Sequence, residues 1–404
     1  MELTIPLVFL LVYAGMMLGR FPGLALDRTG IALLGAIVLI VTDQVHVADA
    51  WTAIDVPTIG LLFGLMVVSA QFRLGGFYTA VTRRISAADM RPVVLLGVMM
   101  AVAGLLSALL ANDIVCLAVA PLLVEACARR GLHPVPHLLG LACASNIGSA
   151  ATLIGNPQNM LIGQTIQLPF AAYLLDGGVP AALGLVAAWG IIAWLYAGKW
   201  HAATPVPHVE APTFNSWQSA KGAVILILLV AGFLAAPVPR EVLALAAAGM
   251  ILASRRMHSH KMLGLVDWQL LVLFAALFIV NHALQASGLT DQAVTRLGAA
   301  GIDVTHPGWL FGVTVVLSNL VSNVPAVMLL LPAATHPLAG PVLALASTLA
   351  GNLLIVGSIA NIIVVDQAAR LGVRISWREH ARTGIPVTLA TLAIAAAWLA
   401  LLAQ

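Results

Sequence analysis

Charged residues are scarce in this chain. Asp, Glu, Lys and Arg make up 9% of its 404 residues, against about 25% in a soluble globular domain. With 61% hydrophobic residues and a mean hydropathy of +1.01, that shortage excludes a soluble enzyme or binding module. A polytopic all-α membrane protein is what remains. Cysteine is scarce too. The 3 thiols, Cys116, Cys127 and Cys143, show no CxxC spacing and no neighbouring ligand His, so they read as buried thiols rather than as disulfides or a metal site. There is no GxSxG, no HExxH and no paired-acid motif, so the chain does not read as an enzyme and no cofactor is called for. Basic residues outnumber acidic ones, 19 to 16. They sit in loops, where topology signals lie, and imply no nucleic-acid partner. The first residues run straight into an apolar segment without a basic leader, which reads as a retained span rather than a signal peptide.

Long apolar runs are what the sequence has in quantity. A span needs about 20 apolar residues. Ten segments are candidate crossings: 5–18, 29–41, 57–75, 138–166, 179–197, 224–236, 242–253, 270–286, 341–365 and 385–402. With the N-terminus outside, Arg20, Arg28, Arg83, Arg84, Arg91, Arg129, Arg130, Lys199, Lys221, Arg255, Arg256, Lys261, Arg370, Arg374, Arg378 and Arg382 fall inside. Only Arg240 and Arg296 fall outside, and Arg73 is near a span end. This positive-inside bias predicts termini on the outer side of the membrane, periplasmic if the membrane is a bacterial inner one. It holds only if Val93 to Ala128 enters and leaves from the cytoplasm, as a re-entrant hairpin or a pair of short spans. The polar midpoint Ala111-Asn112-Asp113 favours a hairpin tip lining a cavity.

An internal repeat points the same way. Asp55 to Gly76 aligns without a gap with Asp267 to Gly288. Ser107 to Asn112 aligns with Ser318 to Asn323, carrying Pro121 onto Pro332. Ile154-Gly155 and Asn159 align with Val356-Gly357 and Asn361. The halves are 1–200 and 219–404, joined by a polar cytoplasmic linker at 201–218. Each holds five crossings and one hairpin (about 93–128 and 307–338), so the second half enters inverted. Each also holds one broken helix, at about 138–166 and 341–365. Inverted repeats joined by broken helices at the midplane are the architecture of secondary transporters.

The stretch Ala144 to Asn159 shows why a break is expected. A plain span would be Leu, Ile, Val and Phe throughout. This one holds three Asn, one Gln, two Ser, one Thr, two Gly and a Pro. Pro157 removes a backbone donor. Amides and freed backbone at that depth are tolerated only where they line a protein cavity. The candidate substrate- or ion-binding residues are Asn112, Asp113, Ser145, Asn146, Ser149, Thr152, Asn156, Asn159, Ser322, Asn323, Asn352, Ser358 and Asn361. Interhelical hydrogen bonding explains a lone Asn; clustering at aligned breaks favours a site. Asn112, Asp113, Asn146 and Asn156 form a possible sodium set. Asp113 is the one acid well inside a tip, a coupling acid or sodium ligand by its depth, with a hairpin helix cap as the plainer alternative. His282 reads as a hydrogen-bonded core residue, Glu125 as interfacial, and Arg73 as reaching for the membrane surface. Cys116, one turn from Asp113, reads as a small buried hydrophobe before a soft-oxyanion ligand. The loop pairs His258/His260 and His201/His208 point only weakly to metal binding.

Together these motifs resemble the ion transporter superfamily that includes arsenite permeases of the ArsB type, sodium/proton antiporters of the NhaD type and divalent anion:sodium symporters. The carriers are Ala111-Asn112-Asp113, Gly148 through Asn159, Ser322-Asn323-Val324-Pro325 and Gly351-Asn352 through Asn361. The Asn-Asp tip resembles the arsenite-permease and NhaD-like branch, where the symporters carry Ser-Asn-Thr at both tips. The Gly-Asn-Pro-Gln-Asn break resembles bacterial anion transporters with a citrate-transporter-like domain. The resemblance implies a homodimer with a scaffold and a mobile transport domain. Its implied activity is secondary transport of a small anion or oxyanion coupled to protons or sodium. The alternatives it leaves open are sodium/proton antiport and arsenite efflux.

Overall fold

The computed structural model describes residues 3–19, 23, 25–202, 205–210, 212–254 and 257–404. Arg20, Arg255 and Arg256 from the charge pattern, and residues 203, 204 and 211 of the linker, lie outside the described residues. Helices joined by turns make up the whole, with no strand among the described residues and one isolated bridge between Leu132 and His201.

Among the described residues, six helices are long and apolar enough to cross a membrane: Val56–Leu74, Pro92–Leu109, Phe170–Leu195, Ser216–Ala235, Trp268–Ala286 and Trp377–Leu402. At about 1.5 Å per residue, the 26-residue helices Phe170–Leu195 and Trp377–Leu402 run well past a hydrocarbon layer of about 30 Å. They present Leu175, Val186, Trp194, Leu389 and Leu401 outward, an apolar exterior that suits lipid. Other expected spans are shorter: the helix at 242–253 is Arg240–Leu252, 13 residues.

Inside that wrapping lie two helices with no outward face. All 16 residues of Pro134–Ser149 are buried, and so are all 12 of Ala339–Ala350. A helix apolar all round belongs in the middle of a bundle. Both stop there. The expected span 138–166 is Pro134–Ser149 followed by Pro157–Thr165. The expected span 341–365 is Ala339–Ala350 followed by Ile359–Arg370, with a 3-10 turn at Ile355–Gly357 between them.

The polar tips also divide helices. Pro92–Leu109 gives way to Asn112–Arg129 through an extended Leu110. Pro307–Val321 gives way to Asn323–Leu330 through Ser322, whose φ of 80° and ψ of 160° fall in a region that L-residues other than glycine rarely occupy. The second arms differ in length. Pro121 is carried inside Asn112–Arg129, whereas the aligned Pro332 sits in a 3-10 turn, Leu331–Ala333, that ends the helical run after Leu330. Proline past the first turn deletes one helical hydrogen bond; packing decides whether the helix survives it.

The aligned segments Val56–Leu74 and Trp268–Ala286 are both 19 residues long. Asp55 and Asp267 cap them, accepting from Thr58 N at 3.0 Å and Leu270 N at 2.9 Å. Each is followed by a left-handed glycine, Gly76 or Gly288, and an 11-residue helix, Phe77–Ala87 or Leu289–Ala299.

Pro134–Ser149 lies against Pro92–Leu109 with glycine facing glycine. A Cβ on Gly148 would overlap the Gly104 backbone oxygen and Cα. Gly148→Ala therefore costs about 1–3 kcal/mol through forced separation of the helices, read as a lower thermal midpoint in detergent. Gly178→Ala, with nothing within 4 Å of the added carbon, is the matched control and is neutral or slightly stabilising. Equal midpoints for the two variants contradict this packing account.

Candidate functional site

Each break is built from capping chemistry. Asn156 is extended and N-caps Pro157–Thr165, its Oδ1 accepting from Asn159 N at 2.9 Å, with Pro157 in the first turn where no donor is missed. Gly155 brings the chain back against Ser149 so closely that a Cβ would meet Ser149 Cα at 2.6 Å. In the other half Ser358 N-caps Ile359–Arg370, accepting from Ala360 N at 3.2 Å. Both breaks thus place a helix C-terminus and a helix N-terminus at the centre of the bundle, with partial negative and positive charge respectively.

The two breaks are stitched to each other. Asn146 Nδ2 donates to Asn352 Oδ1 at 2.8 Å and to Asn361 Oδ1 at 3.1 Å, while Asn146 Oδ1 accepts from Ser358 Oγ at 2.7 Å. Asn361 Nδ2 closes its own break by donating to the carbonyls of Gly351 at 2.8 Å and Leu354 at 3.1 Å. A second layer joins Asn156 to Ser149 Oγ at 3.0 Å and to Thr348 Oγ1 at 3.2 Å; Gln158 Nε2 also donates to Thr348 Oγ1, at 3.1 Å. Asn159 Nδ2 donates to Thr152 O at 3.0 Å and Tyr173 Oη at 3.2 Å, and Tyr173 Oη donates to Ala150 O at 2.8 Å. All of these side chains are buried. Asn352 Nδ2 has no partner.

The first tip docks on the same network. Ser145 Oγ donates to the Asn112 carbonyl at 3.2 Å and accepts from Ser107 Oγ at 3.1 Å. Thr152 Oγ1 holds Ala108 O, and Ser69 Oγ accepts from Ala111 N at 3.1 Å. Beside the tip is a cleft of about 230 Å³ lined by Arg73, Asn112, Asp113, Asn156, Pro157 and Asp267, with apolar walls from Leu62, Leu65, Met66, Leu270 and Ile363. No hydrogen bond or ion pair reaches the Asp113 carboxylate among the described residues. A second cavity of about 380 Å³ opens at the other tip, lined by Asp27, Arg28, Thr29, Ser322, Pro325 and Ile359 among others. Asp267 and Leu270 line both spaces.

The 13 residues singled out from the sequence therefore fall into four groups. Asn146, Ser149, Asn156, Asn352, Ser358 and Asn361 meet at the crossing of the breaks. Asn112 and Asp113, with Asn156, line the first cleft, while Ser145 anchors that tip. Ser322 lines the second cavity, and the buried Asn323 beside it keeps an unpartnered Oδ1. Thr152 and Asn159 shape the first break. Of the possible sodium set, Asn112, Asp113 and Asn156 share the cleft and Asn146 does not line it. Sequence reasoning missed Arg73, Asp267 and Tyr173 as neighbours, because each reaches the site from another helix. Thr348 and Gln158 stood within the flagged breaks and were legible as polar residues in apolar runs. Arg73 lines the cleft instead of only reaching outward. His282 makes no hydrogen bond among the described residues; its neighbour Asn281 accepts from Tyr13 Oη at 2.9 Å.

The chain is similar to known transporters over most of its length. The model of the citrate transporter family matches residues 9–342. The silicon efflux transporter LSI3 of rice is 30% identical over 94% of this chain and 94% of its own length. The inner membrane protein YbiR of Escherichia coli is 33% identical over 81% of this chain and 83% of that protein. The crystal structure of the YdaH transporter of Alcanivorax borkumensis superposes with a TM-score of 0.58 at 14% identity, covering 98% of this chain and 96% of that one. That last likeness concerns the fold. The chain belongs to the citrate transporter family and is a multi-pass membrane transporter.

The crossing of the breaks makes a stability prediction. Asn146→Ala strips partners from Asn352, Asn361 and Ser358 at once, and each buried group left unpaired costs about 1–3 kcal/mol. Hydrogen–deuterium exchange of the purified protein is expected to speed up at amides 351–361, more than 200 residues away in sequence. Unchanged protection there refutes the cross-link.

Proposed function

We propose that this member of the citrate transporter family moves a small oxyanion, or the hydroxylated acid it derives from, across the bacterial inner membrane. Transport is secondary and active, coupled to protons or sodium through Asp113. The observation that carries this reading is the placement of Asp113 in a small cleft against the crossing of two broken helices. Two carboxylates, Asp113 and Asp267, face that cleft with one guanidinium, Arg73. In a low-dielectric interior their fields are weakly screened. An anion enters such a space only together with a proton or a sodium ion, and that joint requirement is coupling in electrostatic terms. Asn112 and Asn156 supply donors and acceptors to hydroxyl and oxo groups. The helix N-termini at Pro157 and Ile359 offer positive ends to the substrate, and the freed carbonyls nearby suit a cation.

The inverted repeat is part of the same proposal. The equal lengths and matching caps of Val56–Leu74 and Trp268–Ala286 support it, as do the caps at Asn156 and Ser358. On this reading residues 1–200 and 219–404 are the two halves. The tips and breaks form a mobile domain, a homodimer supplies the scaffold, and alternating access follows from their relative motion. The termini are periplasmic. The name of the rice relative adds silicate to the substrates worth testing, beside arsenite, phosphate, sulfate and dicarboxylates.

A second reading is favoured by one observation: the cleft sets two carboxylates against one guanidinium, a surplus of negative charge that a cation neutralises without any anion. That describes a sodium/proton antiporter with no anion at all.

Proteoliposomes carrying an internal pH dye and an imposed proton gradient separate the two. Discharge by sodium or lithium alone makes the protein an antiporter and removes the oxyanion reading. Discharge only on adding one of the oxyanions or acids keeps it and names the substrate class. Asp113→Asn is expected to reduce coupled flux to the level of empty liposomes while elution and melting stay those of the wild type. Wild-type pH dependence in that variant eliminates Asp113 as the coupling acid.

A further inference from the structure

Far from the tips, the end of Asn112–Arg129 meets the end of Phe77–Ala87 beside the turn that leads into Pro92–Leu109. Arginines gather there. Arg130 ties the turn down, donating to the carbonyls of Ser86 at 3.1 Å, Ala88 at 3.2 Å and Met90 at 2.8 Å. Glu125, 7% exposed, pairs with Arg129 at 2.7 Å and lies 3.7 Å from Arg83. Between them opens a groove of about 590 Å³, lined by Arg83, Ser86, Asp89, Glu125, Arg129 and Arg130, with Leu122 and Ala126 as its apolar wall.

Two features exceed what a structural clamp requires. First, one carboxylate, Glu125, serves two guanidiniums whose side chains remain 56% and 66% exposed. Arg83 and Arg129 thus have N–H groups to spare on the groove side. Second, Ser86 is 7% exposed and its Oγ has no hydrogen-bond partner, although it lines the groove. A buried hydroxyl left unpaired costs free energy, and an acceptor in the groove would satisfy it. Asp89 is the opposing charge, and with Glu125 it leaves three guanidiniums against two carboxylates.

The groove also sits at a membrane edge. It lies at the start of a candidate span, Pro92–Leu109, whose Val94 and Leu105 face outward. Basic pockets at this level, between helix ends, suit anionic lipid headgroups, and planar guanidiniums match phosphate oxygens in pairs.

We propose that this groove binds a phosphate group, held by Arg83, Arg129 and the Ser86 hydroxyl. The source that fits its position is the headgroup of an anionic phospholipid; a soluble phosphate has the same chemistry.

Native mass spectrometry of the detergent-purified full chain tests this with phosphatidylglycerol, phosphatidylcholine and inorganic phosphate as the added probes. Two variants spare the fold. Arg83→Gln leaves the 2.7 Å pair between Arg129 and Glu125 intact. Ser86→Ala removes an unpartnered hydroxyl and leaves the lipid-free melting temperature unchanged or raised. Retained phosphatidylglycerol above phosphatidylcholine is expected, weakened about fivefold in Ser86→Ala, the effect of one hydrogen bond, and more in Arg83→Gln, where a charge is lost. Inorganic phosphate binding with the same loss in both variants, and no preference between the lipids, supports the phosphate site and assigns it to a soluble ligand. Retention of phosphatidylglycerol undiminished in both variants overturns the proposal, and so does absence of binding by all three probes.

Discussion

A helix that stops inside a bilayer leaves carbonyls and N–H groups with no water to take them. Everything at the centre of this protein answers that constraint. Two buried helices end at Ser149 and Ala350, and two new ones begin at Pro157 and Ile359. Asn361 takes the loose carbonyls of Gly351 and Leu354, and Asn159 takes that of Thr152. Tyr173 arrives from a neighbouring helix to take that of Ala150. Asparagine suits the task because one side chain is both donor and acceptor. Asn146 uses both ends at once to join the two breaks.

The same constraint explains where the cleft beside Asp113 lies. Once an interior is polar enough to satisfy broken helices, it also has the residues to hold an ion or a hydroxylated solute. Asp113 projects beside this network without a hydrogen bond of its own, and Asp267, fixed by its role as a helix cap, shares the space. Satisfied amides provide rigidity, and among the described residues the Asp113 carboxylate beside them is left without a partner.

Much of this was legible in the sequence. Polar residues and Pro157 inside an apolar run announced the first break, and Asn352 to Asn361 announced the second. Ala111-Asn112-Asp113 and Ser322-Asn323 announced the points where helices divide. What the sequence withheld was partnership across distance. Arg73 is at a span end, and its sequence neighbours say nothing of Asp113. Tyr173 is one aromatic in a long apolar helix. Local pattern also failed to distinguish the fates of Pro121 and Pro332: the repeat aligns them as equivalents, and the packing around each decided that the first is carried within a helix.

The contact of Gly148 with Gly104 has a mechanical consequence. Two backbones in direct touch cannot slide past each other without climbing over side chains, so they act as a rivet. With Asn146 bound across to Asn352, the rivet ties the first tip and both breaks into one stiff piece. Any motion that exposes the cleft first to one side of the membrane and then to the other must carry that piece whole. Under the proposed alternating access its bearing surfaces lie at the outer helices, and the polar centre would travel without being remade in each cycle.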